Sequence, residues 1–429
     1  MNKLPYQVLI ITLLILTAGT VPAQSVSKVE IGPQITTLTL FPPGGFGDIT
    51  EPGFGGRFTF NFNDKIALDA EGNFFPNKNV FLGVGEGRAV QGQFGVKVGK
   101  RFKKFGLFAK VRPGFLSIGD VFSFRPGSSA VSFGFTIPNA RIGRETHFTT
   151  DVGGVLEFYP SKRTIVRFDG GDTIIRYGPH FEPNPINFNV LDKFPSRVKH
   201  NLQITAGVGF RLGMAGTSQP ASGSDKSDLR RYEVGIHFTS MSMNPPTPRC
   251  PDICFLSEDR GPVTEPGLGG RFTYNLTPYI GIEAEMNFFT RNHESFNSNP
   301  TGHIYQGQFG GKVGKRFDRF GLFGKVRPGF VGFTKVIRLV GTRNINFGGF
   351  PFTIGDFRRG HKEYLSTDLG GVLEFYVSPR LMTRMDFGDT IIHYSEFQTQ
   401  SFSLSQNILR RPPETRHNFQ FNAGIGFRF

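Results

Sequence analysis

The chain has 429 residues, with 56 Gly, 49 Phe and 29 Pro but no Trp, and a formal net charge of +15. Its mean hydropathy of -0.20 excludes a helical membrane protein, while its length allows two or three domains. No Lys/Arg block with interleaved aromatics accompanies the basic excess, so nucleic acid is not expected as a partner; lipid phosphates or anionic envelope polymers suit the charge better.

Residues 8–16 are the one continuously apolar stretch, preceded by Lys3 and followed by small residues up to Ala23. A spanning helix needs roughly 20 apolar residues. Residues 1–23 therefore read as a secretory signal peptide, cleaved after Ala23. Export places the mature chain in an oxidising compartment, where Cys250 and Cys254, its only cysteines, are expected to close a local disulfide in a Pro-rich loop. Two cysteines without clustered His do not build a closed zinc site, and no cofactor or metal is expected.

Beyond the signal the sequence alternates with period 2 and nowhere holds a 3.6-residue apolar pattern, so the fold class is all-β. Strands are predicted near 28–40, 54–63, 65–75, 88–100, 104–116, 147–159, 162–175 and 199–212. A second set falls near 231–241, 268–277, 279–290, 303–316, 319–332, 362–376, 379–394 and 416–429. The two sets repeat one another: Lys97-Val98-Gly99-Lys100-Arg101-Phe102 returns as Lys312-Val313-Gly314-Lys315-Arg316-Phe317, and Asp172-Thr173-Ile174-Ile175 as Asp389-Thr390-Ile391-Ile392. Between them, 213–229 is a polar flexible linker. The expected organisation is two tandem eight-stranded antiparallel up-and-down barrels, 24–212 and 230–429; one fused 16-stranded barrel is the alternative.

Connections alternate in length. Asn63-Asp64, residues 101–104 and Pro160-Ser161 are tight turns, whereas 41–53, 76–87, 117–146 and 178–198 read as long loops. Short turns at one end and long loops at the other are the pattern of outer-membrane barrels, turns on the periplasmic side.

Sorting each strand by parity gives an apolar face, such as Phe58, Phe60, Phe62 and Phe94, Val96, Val98, and a polar, Gly-rich one. The polar face bears Arg57, Asp69, Glu71, Lys97, Lys110, Arg112, Asp151, Glu157, Arg167 and Asp169 in the first copy. The second has Arg271, Glu283, Glu285, Lys312, Lys325, Arg327, Asp368, Glu374, Arg384 and Asp386 at matching places, five bases against five acids in each. In a soluble barrel the apolar face fills the interior and the charges meet water. In a membrane barrel the charges must lie inside, because a Lys or Arg facing lipid at mid-bilayer costs about 2–4 kcal/mol. The second arrangement is expected, with the twenty charges forming a lumen ion-pair network. Gly95, Gly99, Gly153, Gly207 and Gly209 then leave room for long side chains, and Phe102, Phe105, Phe158, Tyr159, Phe375 and Tyr376 supply an interfacial aromatic belt.

The last strand ends in alternating apolar residues, Phe421, Ile425, Phe427 and Phe429, and the first copy ends similarly at Val208-Gly209-Phe210-Arg211-Leu212. With the strand count and the turn asymmetry, the chain resembles two tandem members of the OmpA-like or OmpX-like eight-stranded outer-membrane β-barrel family. That resemblance implies residence in the outer membrane of a diderm bacterium, contact with outer-membrane lipid, and recognition of the final strand by the outer-membrane assembly machinery. Nothing resembles the peptidoglycan-binding domain of OmpA, so cell-wall anchoring is not implied.

Small barrels fill their interiors, so bulk diffusion is not expected, although a fused barrel would conduct like a porin. Asp172 and His200, with Asp389 and His417, are placed at the outer rim, where Ser366 or Thr149 could complete a nucleophilic, lipid-modifying site. The reading favoured is non-enzymatic: a scaffold displaying external loops for envelope integrity, adhesion or recognition of a surface polysaccharide or host ligand.

Overall fold

The computed structural model describes residues 27–41, 49–80, 86–132, 135–183, 191–212, 230–244, 262–293, 301–347, 350–400 and 408–429. The signal segment, the linker and both cysteines lie outside the described residues. The chain divides into two compact units, Met1–Ser222 and Gly223–Phe429.

In the first unit the wall strands are β1 (Val29–Leu40), β2 (Ile49–Asn61), β3 (Ile66–Val80), β4 (Glu86–Arg101), β5 (Phe105–Ser132), β6 (Phe135–Phe158) and β7 (Thr164–Tyr177). A small excursion follows, β8 (His180–Pro183) and β9 (Leu191–Phe194), before β10 (Arg197–Lys199) and β11 (Leu202–Leu212) return to the wall. Each wall strand pairs antiparallel with the next, and β11 pairs back on β1, Val29 facing Leu212 and Ile35 facing Ala206. The result is a closed eight-stranded barrel with no free edge, the one way a sheet satisfies all its wall hydrogen bonds internally.

The second unit repeats this plan with β12 (Tyr232–Met243), β13 (Val263–Asn275), β14 (Ile280–His293), β15 (Thr301–Arg316), β16 (Phe320–Phe347), β17 (Phe350–Tyr376), β18 (Leu381–Tyr394), the short pair β19 (Phe397–Gln400) and β20 (Ile408–Arg411), and β21 (Glu414–Arg428). Closure is again first strand to last, Val234 facing Phe427 and Ile236 facing Ile425. A single 16-stranded barrel is thereby ruled out as the hydrogen-bonded arrangement, since each set of eight returns to its own first strand.

Turn chemistry explains the tight ends. Asn63 Oδ1 accepts from the backbone N–H of Lys65 and Ile66, both at 2.8 Å, and Ser161 Oγ from those of Arg163 and Thr164 at 3.1 and 2.9 Å. Thr277 Oγ1 does the same for Tyr279 and Ile280. Short polar side chains here replace the ladder bonds that the reversal removes.

The largest departure from expectation is the third connection. Residues 117–146 are not a loop: β5 and β6 stay paired from Phe105 opposite Phe158 to Ser132 opposite Phe135, and β16 and β17 from Phe320 opposite Phe375 to Phe347 opposite Phe350. Gly, Pro and Ser in this segment mimic loop composition. They serve instead at the register shifts between Ile118 and Val121 and between Phe124 and Ser129, beside positive-φ positions at Asp120 (48°) and Gly127 (78°).

The glycines need a similar correction. A Cβ on Gly95 would lie 2.0 Å from the Val111 carbonyl oxygen, and one on Gly314 would lie 2.1 Å from that of Leu322. What they accommodate is the close approach of the neighbouring strand's backbone. Of the five glycines predicted to leave room, Gly209, whose Cβ would lie 3.2 Å from an Arg57 nitrogen, does make room for a charged side chain, as does Gly235 for Arg271 at 3.3 Å in the second barrel.

Candidate functional site

The barrel interior is the most elaborate polar region of the chain. All twenty charges on the predicted polar face are buried, each at most 6 % exposed. In the first barrel Arg112 is the hub: its guanidinium donates to Asp151 at 2.6 and 3.0 Å, to Glu71 at 2.6 Å and to Asp69 at 3.3 Å. Arg167 grips Asp69 and Asp169 with a fork on each, at 2.5 to 2.9 Å, while Lys110 reaches Asp151 at 2.8 Å and Lys97 pairs with Glu157. The second barrel repeats the set: Arg327 holds Asp368 and Glu285, Arg384 holds Glu283 and Asp386, Lys325 reaches Asp368 at 2.7 Å and Lys312 reaches Glu374 at 2.5 Å. Arg–carboxylate forks such as those of Arg167 and Arg384 are what make such burial tolerable, because most of the charges removed from water regain directed partners.

Arg57 is inside but not in an ion pair. Both its terminal nitrogens lack a hydrogen-bond partner, and its counterpart Arg271 comes only within 4.0 Å of Asp386. The cause is competition, since Arg167 and Arg384 already occupy the carboxylates that these residues approach.

Sequence reasoning missed the groups that complete the network. Glu30 lies 3.4 Å from Arg101 and 3.7 Å from Lys97; Glu233 lies 3.2 Å from Lys312 and 3.3 Å from both Arg316 and Arg428. Tyr159 and Tyr376 were expected in a belt. Instead their hydroxyls donate to Glu157 and Glu374 at 2.8 and 2.9 Å, and the guanidinium groups of Arg211 and Arg428 stack on their rings at 4.1 and 4.5 Å. They close the turn end. Extending the parity of Lys97 to Arg101, and that of Gly209 to Arg211, would have found these partners.

Above the ions lies an amide layer. Gln91 and Gln203 exchange hydrogen bonds at 2.9 and 3.0 Å, Asn73 donates to Gln91 at 2.9 Å, and Thr173 donates to Gln203 at 2.7 Å. Gln306, Gln420, Asn287 and Thr390 form the same knot in the second barrel, at 2.6 to 3.0 Å. Gln34, bonded to Asn73 at 2.8 Å, is replaced there by His237, 2.7 Å from Asn287 and 3.7 Å from Glu285.

Above the amides the inward face turns apolar. Leu38, Leu40, Phe75, Leu116, Ile118, Ile175 and Tyr177 fill the first barrel; Met241, Phe289, Val331, Phe333, Tyr364, Ile392 and Tyr394 fill the second. The outer wall changes in the opposite sense. Alongside the ions it presents Phe58, Phe94, Val111, Phe148 and Val152, or Ile236, Leu268, Phe309, Val313 and Leu365, all 40 to 73 % exposed. Alongside the apolar plug it presents Arg88, Arg144, Thr146 and Arg176, or His303, Arg359, His361 and His393, all exposed. Both faces invert at one level.

At that level the rim residues meet. Asp172 Oδ2 lies 2.6 Å from His200 Nδ1 and its Oδ1 accepts from the Asn201 N–H at 3.0 Å; Asp389 treats His417 and Asn418 likewise, at 2.6 and 3.1 Å. Both histidines face outward, about 70 % exposed. Thr149 and Ser366, the residues that could have completed a nucleophilic site, are buried on the inward face, Ser366 paired across strands with Ile392. Strand parity puts hydroxyl and imidazole on opposite sides of the sheet, so the nucleophilic constellation is not assembled. Among the assembly-signal residues, Phe421 is buried 5.3 Å from Phe387, Ile425 is half-buried, and Phe427 and Phe429 are exposed.

Fold and interior together define closed eight-stranded antiparallel barrels with charged, filled lumens. No family model matches the sequence, and no curated protein matches it. Among solved structures the chain is similar to Ail, the attachment invasion locus protein of Yersinia pestis, at 12 % identity over 47 % of this chain and 100 % of that one, with a TM-score of 0.26. The N-terminal β-barrel domain of Pseudomonas aeruginosa OprF matches at 12 % identity over 43 % of this chain and 97 % of that one, TM-score 0.25. A Pseudomonas aeruginosa FadL homologue matches at 11 % identity over 94 % and 90 %, TM-score 0.28. None of these likenesses carries a residue or an activity across.

Proposed function

We propose that the chain is a sealed outer-membrane β-barrel protein, without catalytic chemistry of its own, that holds two long β-hairpins and their neighbouring loops on the far side of the membrane for recognition. The inside-out inversion of both faces at one level carries this reading. Exposed apolar walls around buried charges suit lipid, whereas polar walls around an apolar core suit water, so the inversion marks a membrane boundary. Each lumen is filled twice over, by ion pairs and then by an apolar plug, which supports display over transport. Outer-membrane lipid and the outer-membrane assembly machinery are the partners this placement requires.

The test combines fractionation of expressing cells with planar-bilayer recording of the purified full chain. Outer-membrane recovery without conductance steps is expected; stable large steps would replace display by a porin role, and recovery in the soluble fraction would remove the membrane reading.

A further inference from the structure

Arg88 on β4, Arg144 on β6 and Arg176 on β7 are exposed at the level where both faces of the first barrel invert. Parity puts all three outside: Ala89 and Ile175, next to Arg88 and Arg176 in sequence, fill the interior, and Arg144 shares its parity with the 59 % exposed Phe148. Arg144 lies across the sheet, its Nη1 donating to Ser117 Oγ at 3.2 Å and to the Ser117 carbonyl oxygen at 3.5 Å. A Cβ on Gly119 would stand 3.4 Å from Arg144 Nη2 and 3.3 Å from the Arg88 carbonyl oxygen, so this glycine lets a β6 guanidinium rest on β5 toward Arg88. Arg176 stands between Phe148 and Val198, its exposed cross-strand partners, and Phe148 in turn faces the exposed Phe115. The apolar wall therefore begins in the row of Arg176. No carboxylate among the described residues pairs with any of the three arginines.

The second barrel supplies the contrast. In the alignment that carries Gln91 to Gln306, Asp151 to Asp368 and Asp172 to Asp389, the three arginines become His303, His361 and His393. Leu365 faces His393 as Phe148 faces Arg176. Thr146, whose hydroxyl lies 2.9 Å from that of Ser117, is replaced by Glu363, which accepts from the Tyr305 hydroxyl at 2.9 Å. A carboxylate thus stands in the middle of the second patch, where it repels an anion. In the first, guanidinium groups without counter-ions span four adjacent strands, about 14 Å at the usual strand spacing, and their forks suit phosphate oxygens. The apolar border selects a lipid over a free anion. We propose that the outer wall of the first barrel, and not that of the second, holds the phosphate of an anionic membrane lipid through Arg88, Arg144 and Arg176, the acyl chains lying on Phe115 and Phe148. The inference rests on the membrane boundary proposed above and names a lipid contact on it.

Native mass spectrometry of the full-length protein, released from neutral detergent, reads the lipid retained on titration with phosphatidic acid. Diacylglycerol and inorganic phosphate serve as the uncharged and the lipid-free probes. Expected are adducts with phosphatidic acid alone, and at least a tenfold weaker retention by R88Q/R144Q/R176Q. The matched H303Q/H361Q/H393Q should retain the lipid as wild type does, and unchanged heat-modifiable mobility of both variants separates lost binding from lost folding. T146E, a single exposed substitution that copies Glu363, should weaken retention in the same direction. Wild-type retention in R88Q/R144Q/R176Q and T146E, or equal loss in both triple variants, overturns the assignment. Inorganic phosphate bound as tightly as the lipid would also overturn it, leaving a free-anion site. Cell fractionation of the unsubstituted protein, which tests the membrane boundary, is read independently of these adducts.

Discussion

The two barrels agree where they are filled and disagree where they project. Inside, Arg112 and Arg327, Lys110 and Lys325, and the paired glutamines occupy matching places with matching partners, while outside the hairpins share length and little charge. An interior charge has little freedom, since changing it takes a partner from a buried opposite charge. An exposed strand keeps its pairing under almost any alternating sequence. Sequence change can therefore accumulate in the hairpins without disturbing the barrels.

Breaking the shared interior should give the largest effects. Arg112→Met takes from Glu71 its guanidinium partner and leaves Asp69 to Arg167 and Asp151 to Lys110, and Arg327→Met takes from Glu285 its guanidinium partner and leaves Asp368 to Lys325; each is expected to cost about 3–5 kcal/mol in denaturant unfolding of the full chain in detergent. A loss in one barrel only would mean that the networks, though alike in geometry, are not alike in energy. Next comes the plug: Leu116→Ala should cost about 2–5 kcal/mol in the same measurement while leaving the ion network intact. Smaller still, His237→Gln copies Gln34 of the first barrel and keeps a bond to Asn287, so a change of about 1 kcal/mol or less is expected, the net worth of one hydrogen bond. Finally, Arg343→Ala breaks a pair whose members are 67 and 47 % exposed, and its stability effect should stay below about 1 kcal/mol.

Much of the interior was legible in the sequence because strand parity is strict. Lys97, Arg112, Asp151 and Asp169 fall on the face that closure turns inward, and closure itself follows from eight strands with alternating connections. Two things were not legible, and a third was legible but misread. The hairpins were hidden because Gly, Pro and Ser mark bulges as well as loops. The apolar plug was hidden because Leu38, Phe75 and Ile175 share parity with charged neighbours and differ only in height, which a one-dimensional pattern does not encode. The rim failed for the opposite reason: topology made Asp389, His417 and Ser366 neighbours, but parity, available from the start, separates Ser366 from the other two.

The plug and the turn end are not equivalent closures. At the far end Leu116, Ile175, Phe289 and Ile392 are fully buried, while at the turn end the side chains of Arg101 and Arg211 remain 8 % exposed and those of Arg316 and Arg428 12 %. Among the described residues the interior charges are therefore reached from the turn end only. Acid, salt or a hydroxyl radical arriving at the hairpin end meets hydrocarbon, and the same agent at the turn end meets arginine. Each barrel is a one-sided vessel, and its chemistry answers to the solution at its turns and not to the one its hairpins face.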